Sequence, residues 1–377
     1  MLRLITLLAV SLLLLAGVST TWAVAPQTEA ANRAVDYILS QQNSDGGFIG
    51  FGEESAPGVT LDAVFALIAG GVDPLGVTTD GASPADYLAS QADTYSVDAG
   101  GAAKLMLGII RMGLDYTDFG GTNGGLDLPS VLEGHLSEDP ADGIYGVDLF
   151  DQAFSVLALT AAGEALRDSS VDYLRSLQLD DGGWEFDDGL GSDSNSTAMA
   201  VQALLAAGVA SDDPTIEDAL GYFASIQDAS GAFAFLADTD PDAQSTAMVI
   251  QALVAAGEDL DEWTVGGITP MDALLTFQNS ETGAFQFAGE DSPFATYQVV
   301  AGLLMAPFPK LETAISERPV DGDVVIVPPH GDSGTLPVAM PDTGGGSADG
   351  TTPWWIVAAL MGSAAAAGTG ALALRRR

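Results

Sequence analysis

Five times in this chain an aspartate stands fifteen residues ahead of the small residue that closes an apolar helix: Asp98 before Gly113, Asp148 before Gly163, Asp193 before Gly208, Asp242 before Gly257 and Asp291 before Ala306. A sixth copy, ending at Gly71, has Ala56 in that column. A carboxylate at a helix start has two uses. It can accept hydrogen bonds from the exposed N–H groups of the first turn and meet the positive end of the helix dipole, worth about 0.3–1 kcal/mol each. Alternatively, a ring closure that brings the five carboxylates to one mouth would offer hard oxygen donors to Ca²⁺ or a cationic ligand. Asp187, Asp188 and the run Asp238-Thr239-Asp240-Pro241-Asp242 add oxygens nearby, without the full spacing of an EF-hand loop. A second set is amphipathic. Gln202 and Gln251 recur in one column of the apolar helices, and Tyr297 stands in the last of them. Among Met106, Met199 and Met248 these side chains suit either a cavity for a mostly apolar ligand or a core in which the amides bond to backbone.

The elements that would hold these residues repeat. Upstream of most apolar helices runs Gln-x-x-x-Gly-x-aromatic: Gln42-Gly46-Phe48, Gln178-Gly182-Trp184, Gln227-Gly231-Phe233 and, with one extra residue, Gln278-Gly283-Phe285. The Asp-to-Asp steps of 50, 45, 49 and 49 residues mark an array of two-helix units, none able to bury its own apolar face. The first helix of a unit is amphipathic, as in 32–39, and the second is apolar nearly all round, as in 197–205, so the first lies outside and the second inside. Six of each predict an all-α fold, an α6/α6 toroid over residues 26–309. Within the motif a Gln amide can tie an outer helix end to the next loop. Gly permits the tight turn, and the aromatic ring packs on the neighbouring unit. Unit two departs from the pattern, since Gln91 has no Gly-x-aromatic ending. Unit three keeps Gly143-Ile144-Tyr145 without a Gln.

The two ends predict an address. Residues 1–25 read as a secretory signal peptide, with Arg3, an apolar run from Leu4 to about Val18, and small residues at Ala23 and Ala25. Residues 310–353, rich in Pro, Gly and Asp, read as an extended, disordered stalk. The 21 uncharged residues from Trp354 to Leu374 suffice for a transmembrane helix, and Arg375, Arg376 and Arg377 form a basic cytoplasmic tail. Without these ends the chain loses four of its 11 basic residues and none of its 52 acidic ones, for a net charge of −45. Such a surface excludes nucleic acid and anionic lipid headgroups as partners, since phosphate binding needs clustered Lys and Arg. With no Cys and only His135 and His330, disulfides, thiolate metal sites and a Cys/His zinc site are ruled out.

Gln178-Leu179-Asp180-Asp181-Gly182-Gly183-Trp184 resembles the QW motif of the prenyltransferase/squalene-oxidase repeat found in triterpene cyclases and protein prenyltransferases. The starts Ser196-Thr197-Ala198-Met199 and Ser245-Thr246-Ala247-Met248 resemble inner-helix starts of that superfamily, and are similar to the toroid of the intrinsic factor and transcobalamin group. The likeness covers about three quarters of the chain and implies the toroid. For activity it implies parts this chain lacks. The acid motif Asp-x-Asp-Asp-Thr-Ala of squalene–hopene-type cyclases matches Asp193-Ser194-Asn195-Ser196-Thr197-Ala198, so Asn195 stands at the protonating position and Ser196 at the next. In the equivalent columns Asp151 alone keeps a carboxylate, the one residue left as a candidate general acid. Zinc-dependent prenyl transfer and internal thioesters both need Cys. Likewise Met340-Pro341-Asp342-Thr343-Gly344 resembles a cell-wall sorting signal with Met in place of Leu, leaving sortase transfer and a plain membrane anchor both open. The expectation is a surface-anchored, non-catalytic binding or interaction module with an apolar or corrinoid-like small molecule, or a surface partner, as its ligand. The alternative is a divergent toroid enzyme, cyclase-like or glycan-cleaving, using cavity carboxylates.

Overall fold

The computed structural model describes residues 25–311 except 51 and 123. Twelve α-helices lie among them. The outer set is α1 (Pro26–Leu39), α3 (Pro84–Tyr95), α5 (Leu128–Glu133), α7 (Asp168–Ser176), α9 (Pro214–Ile226) and α11 (Pro270–Leu275). The inner set is α2 (Pro57–Ala69), α4 (Ala99–Arg111), α6 (Leu149–Ala162), α8 (Ser194–Ala206), α10 (Ala243–Ala256) and α12 (Pro293–Leu303). Seven of them open on Pro in the first turn, where a missing N–H costs nothing. Burial follows the sequence pattern. On α1 only the stripe Ala30, Ala31, Ala34, Val35 and Ile38 is buried, whereas on α8 every residue from Ser194 to Leu204 is. Each inner helix packs on the next, and α12 packs on α2, so the ring closes.

The Gln motif supplies the joints. Gln178 Nε2 donates to Gly182 O at 2.8 Å within its own loop and to Thr215 O at 2.8 Å on the following outer helix. Gln42 bridges Gly46 O and Val77 O, Gln227 bridges Gly231 O and Trp263 O, and Gln278 bridges Gly283 O and Ala30 O, which ties the last unit to the first. Gly182 is required twice. Its φ is +88°, and a Cβ there would stand 2.3 Å from Asp218 O of α9. Trp184 is fully buried; its amide donates to Thr197 Oγ1 of α8 and its indole N–H to Leu174 O of α7. Phe48, Phe233 and Phe285 donate in the same way to Thr60, Thr246 and Thr296.

Unit three, which has no Gln in the usual place, makes the joint from the opposite direction. Gln152 of α6 donates to Gly143 O and to Ser170 O of α7, and its Oε1 accepts from Tyr145 N. One side chain replaces both the Gln and the Thr of the other units.

Two expected boundaries shift. The extra residue after Gln278 is taken up by a wider turn, in which Gly283 N donates to Asn279 O four residues back, and the loop that follows folds into a short hairpin pairing Gln286–Phe287 with Glu290–Asp291. Ser292, not Asp291, caps α12, and the left-handed residue that ends it is Met305 rather than Ala306. Packing also runs past residue 309, because Leu311 is only 1% exposed. Apart from residues 25, 310 and 311, the signal peptide, stalk, sorting-like motif, transmembrane helix and basic tail fall on residues outside the described ones; buried Leu311 puts the start of any stalk after 311 rather than at 310. Among the described residues no helix is long and apolar enough to cross a membrane.

Candidate functional site

Four of the five column aspartates are N-caps. Asp98 accepts from Gly101 N at 2.7 Å, Asp148 from Asp151 N at 2.9 Å, Asp193 from Ser196 N at 2.7 Å and Asp242 from Ser245 N at 2.8 Å. All four stand at the N-terminal ends of inner helices. Asp291 is held within its own loop by Asn279, Thr282 and Gln286. Among the described residues no group of three or more His, Asp or Glu side chains is arranged to hold a metal ion. Burial is the largest influence on the carboxyls of Asp148, Asp193 and Asp242. Burial pushes Asp193 up to about 7 against the pull of the Ser196 hydrogen bonds, and raises Asp242. Burial and then the Asp151 charge push Asp148 up to about 6.

Asp151, the sequence candidate for a general acid, spends both oxygens on backbone. Oδ1 accepts from Gly100 N and Oδ2 from Val147 N, each at 2.8 Å, so it staples the start of α4 to the loop before α6. Asn195 is buried, with its Oδ1 accepting from the neighbouring Ser194 hydroxyl. Tyr297 is buried; its hydroxyl donates to Ile49 O and its ring meets Phe48 edge-on. Gln202 and Gln251 are both buried in the same inner-helix column; Gln251 Oε1 has no hydrogen-bond partner.

The toroid axis is built from a register the sequence reading left unassembled. The sixth residue of successive inner helices is Asp62, Lys104, Phe154, Met199, Met248 and Gln298. Lys104 Nζ pairs with Asp62 Oδ1 at 2.9 Å and lies 5.7 Å over the Phe154 ring. Gln298 Nε2 donates to Asp62 Oδ2, and the Gln244 amide donates to Gln298. This belt links α10, α12, α2, α4 and α6 by contact, and Met199 and Met248 are buried at the same level. At the N-terminal ends of the inner helices stand half-buried Phe150 and Gln244, the second residues of α6 and α10, and the Phe150 ring meets half-buried Phe186 at 5.7 Å with the two planes tilted by 51°. Towards the C-terminal ends the axis holds Phe308, a residue the sequence reading did not single out. Its signal was a lone aromatic between Pro307 and Pro309 directly after the last apolar helix.

Residues 3–98 and 149–314 match the family model of the prenyltransferase alpha-alpha toroid domain. The unmatched stretch holds α4 and α5, parts of units two and three, whose motifs are incomplete. No curated protein matches the chain in sequence. Among solved structures the fold is similar to the type II terpene cyclase MstE from Scytonema, at 18% identity over 74% of this chain and 98% of that chain, with a TM-score of 0.55. A protein from Actinoplanes is similar at 16% identity, covering 74% and 99%, with a TM-score of 0.52. At these identities the likeness is one of fold. With twelve helices closed by Gln-Gly-aromatic joints and a model match over most of its length, the chain belongs to the prenyltransferase alpha-alpha toroid family.

Proposed function

We propose that this toroid is a non-catalytic binding module displayed outside the cell, and that its ligand docks at the mouth formed by the N-terminal ends of the inner helices. The observation that carries this reading is the state of its carboxylates. Protonating an alkene or epoxide needs a strong acid aimed at open space. Here the axial carboxylate Asp62 is bound by Lys104 and Gln298, Asp151 is bound by two backbone amides, and the column where cyclases hold their acid is Asn195. The mouth offers the Phe150 and Phe186 rings with the amides of Gln244 and Gln298, a surface for a neutral, mostly apolar ligand. Display outside the cell is supported by the leader-like start and the apolar segment with its basic tail.

Purified protein lacking residues 1–25 and 354–377, incubated with squalene, oxidosqualene or geranylgeranyl diphosphate, should return the substrate unchanged. Cyclised product that vanished in Asp151→Asn would overturn the reading and give Asp151 the role of general acid. Protease added to intact cells should release the toroid; a protected toroid would sink the outward display.

A further inference from the structure

The chain does not leave the toroid after α12. It turns at Met305, whose φ is +52°, and residues 305–311 run back over the C-terminal ends of the inner helices. The Phe308 ring meets Phe65 of α2 at 5.2 Å and Phe154 of α6 at 6.4 Å, both edge-on. Because α4 packs between α2 and α6, a ring touching both stands on the axis itself. Its amide donates to Gln202 Oε1 of α8 at 2.9 Å. The strap thus fills the position at which Gln202 would meet a ligand.

Ala306 and Leu311 anchor the strap in the core, and several features mark the stretch 307–310 between them as separable from it. Its closing bond, Leu311 N to Pro307 O, is internal. Phe308 is half-buried, unlike the fully enclosed rings of the joints, and Lys310 is exposed. An open surface pocket of about 280 Å³ lies beside the strap, walled by Gln202, Leu205 and Ala206 of α8 and Ala255 of α10. Met305 and Leu311 both hold φ of +52°, the left-handed region that L side chains enter at a cost, so both ends of the strap are strained.

We propose that the strap Met305–Leu311 is a displaceable plug, and that Phe308 is the built-in occupant of an axial binding site for an aromatic group carrying an N–H donor, as in a peptide phenylalanine. The ring slot is set by Phe65 and Phe154 and the donor by Gln202. Access to it is governed by release of the strap. This site lies at the opposite end of the axis from the mouth assigned above and stands or falls without it.

The test uses the full chain and a labelled acetyl-Pro-Phe-Pro-amide peptide, which reproduces the strap in trans. A plug released in about one molecule in a hundred weakens an external ligand ~100-fold. Phe308→Asp, whose charge is expelled from between two aromatic rings, should therefore bind the peptide ~100-fold more tightly than wild type, with an unchanged helical circular dichroism signal. Adding Gln202→Leu to that variant should weaken binding again by about tenfold, the loss of one buried hydrogen bond. A folded Phe308→Asp that binds no better than wild type overturns the proposal. If Phe308→Asp loses its helical signal, trypsin decides on the wild-type protein. Excess peptide should speed cleavage after Lys310 while leaving cleavage after Arg33 and Arg175 unchanged, and an unaltered Lys310 rate refutes a displaceable strap.

Discussion

Asp193 is fully enclosed between the rings, and this makes the stability of the toroid depend on pH in a direction that can be worked out. Burial raises its carboxyl from an ordinary 3.8 to about 7. Between those values the folded protein keeps a proton that the unfolded chain releases. Stability must therefore fall as pH rises through that window, and the contribution is fully favourable only below about pH 4. At about 1.36 kcal/mol per pH unit, the span amounts to ~4 kcal/mol lost by pH 8. Asp193→Asn removes the charge and keeps an oxygen to accept from Ser196 N. The expected outcome of urea titrations is a variant ~4 kcal/mol more stable than wild type at pH 8 and equal to it at pH 4, with the difference opening gradually in between. Asp148 and Asp242 are raised too, so wild type alone would show a steeper slope; the difference between the two proteins isolates Asp193. A variant less stable than wild type by about 1 kcal/mol at every pH would refute the reasoning. It would mean that Asp193 is ionised and that its charge-assisted cap outweighs desolvation.

Three further outcomes test the joints, the axis and the acid column. Gln178→Ala removes two backbone contacts between units and should cost about 1–3 kcal/mol by thermal or urea unfolding, while Gln91→Ala, in the unit without the motif, should stay within about 0.5 kcal/mol. Lys104→Met strands Asp62 in the axis and should cost about 3–5 kcal/mol, whereas Lys104→Met with Asp62→Leu should recover most of that loss. A double variant as unstable as the single one would show that the ion pair is not the source of the cost. Because four of the column aspartates already serve as caps and no group of three acidic or His side chains among the described residues is set to hold a metal, melting temperatures with calcium should match those with magnesium at equal ionic strength; a shift given by calcium alone would revive a calcium site.

Unit three shows why a repeat can lose its motif and keep its joint. The physical demand is a bridge between the unit's own loop and the next outer helix, and Gln152 meets it from α6 as well as Gln178 does from the end of α7. Position in the chain is free as long as the amide reaches the same two carbonyls. A linear pattern records only one way of placing it.

The sequence by itself determined the architecture. Period, the contrast between amphipathic and wholly apolar helices, and the Gln-Gly-aromatic spacing are local properties, and local chemistry fixes them: Gly182 needs its positive φ, Trp184 needs burial, and Asp98, Asp148, Asp193 and Asp242 need only their own first turn to act as caps. Tertiary structure alone decided what fills the ring. The sixth residues of six helices come from positions 62 to 298, and no spacing rule joins Asp62 to Lys104, or Gln298 to Asp62, until the ring closes. The same holds for Phe308, which meets α2, α6 and α8 at once. Its place follows from α12 ending at Leu303, two residues short of α4 in length, and from Met305 turning the chain inward. Helix starts and joints are contacts between neighbours in sequence or in adjacent units, so their pattern is written along the chain. The axis is where all six units meet, and what stands there depends on closure.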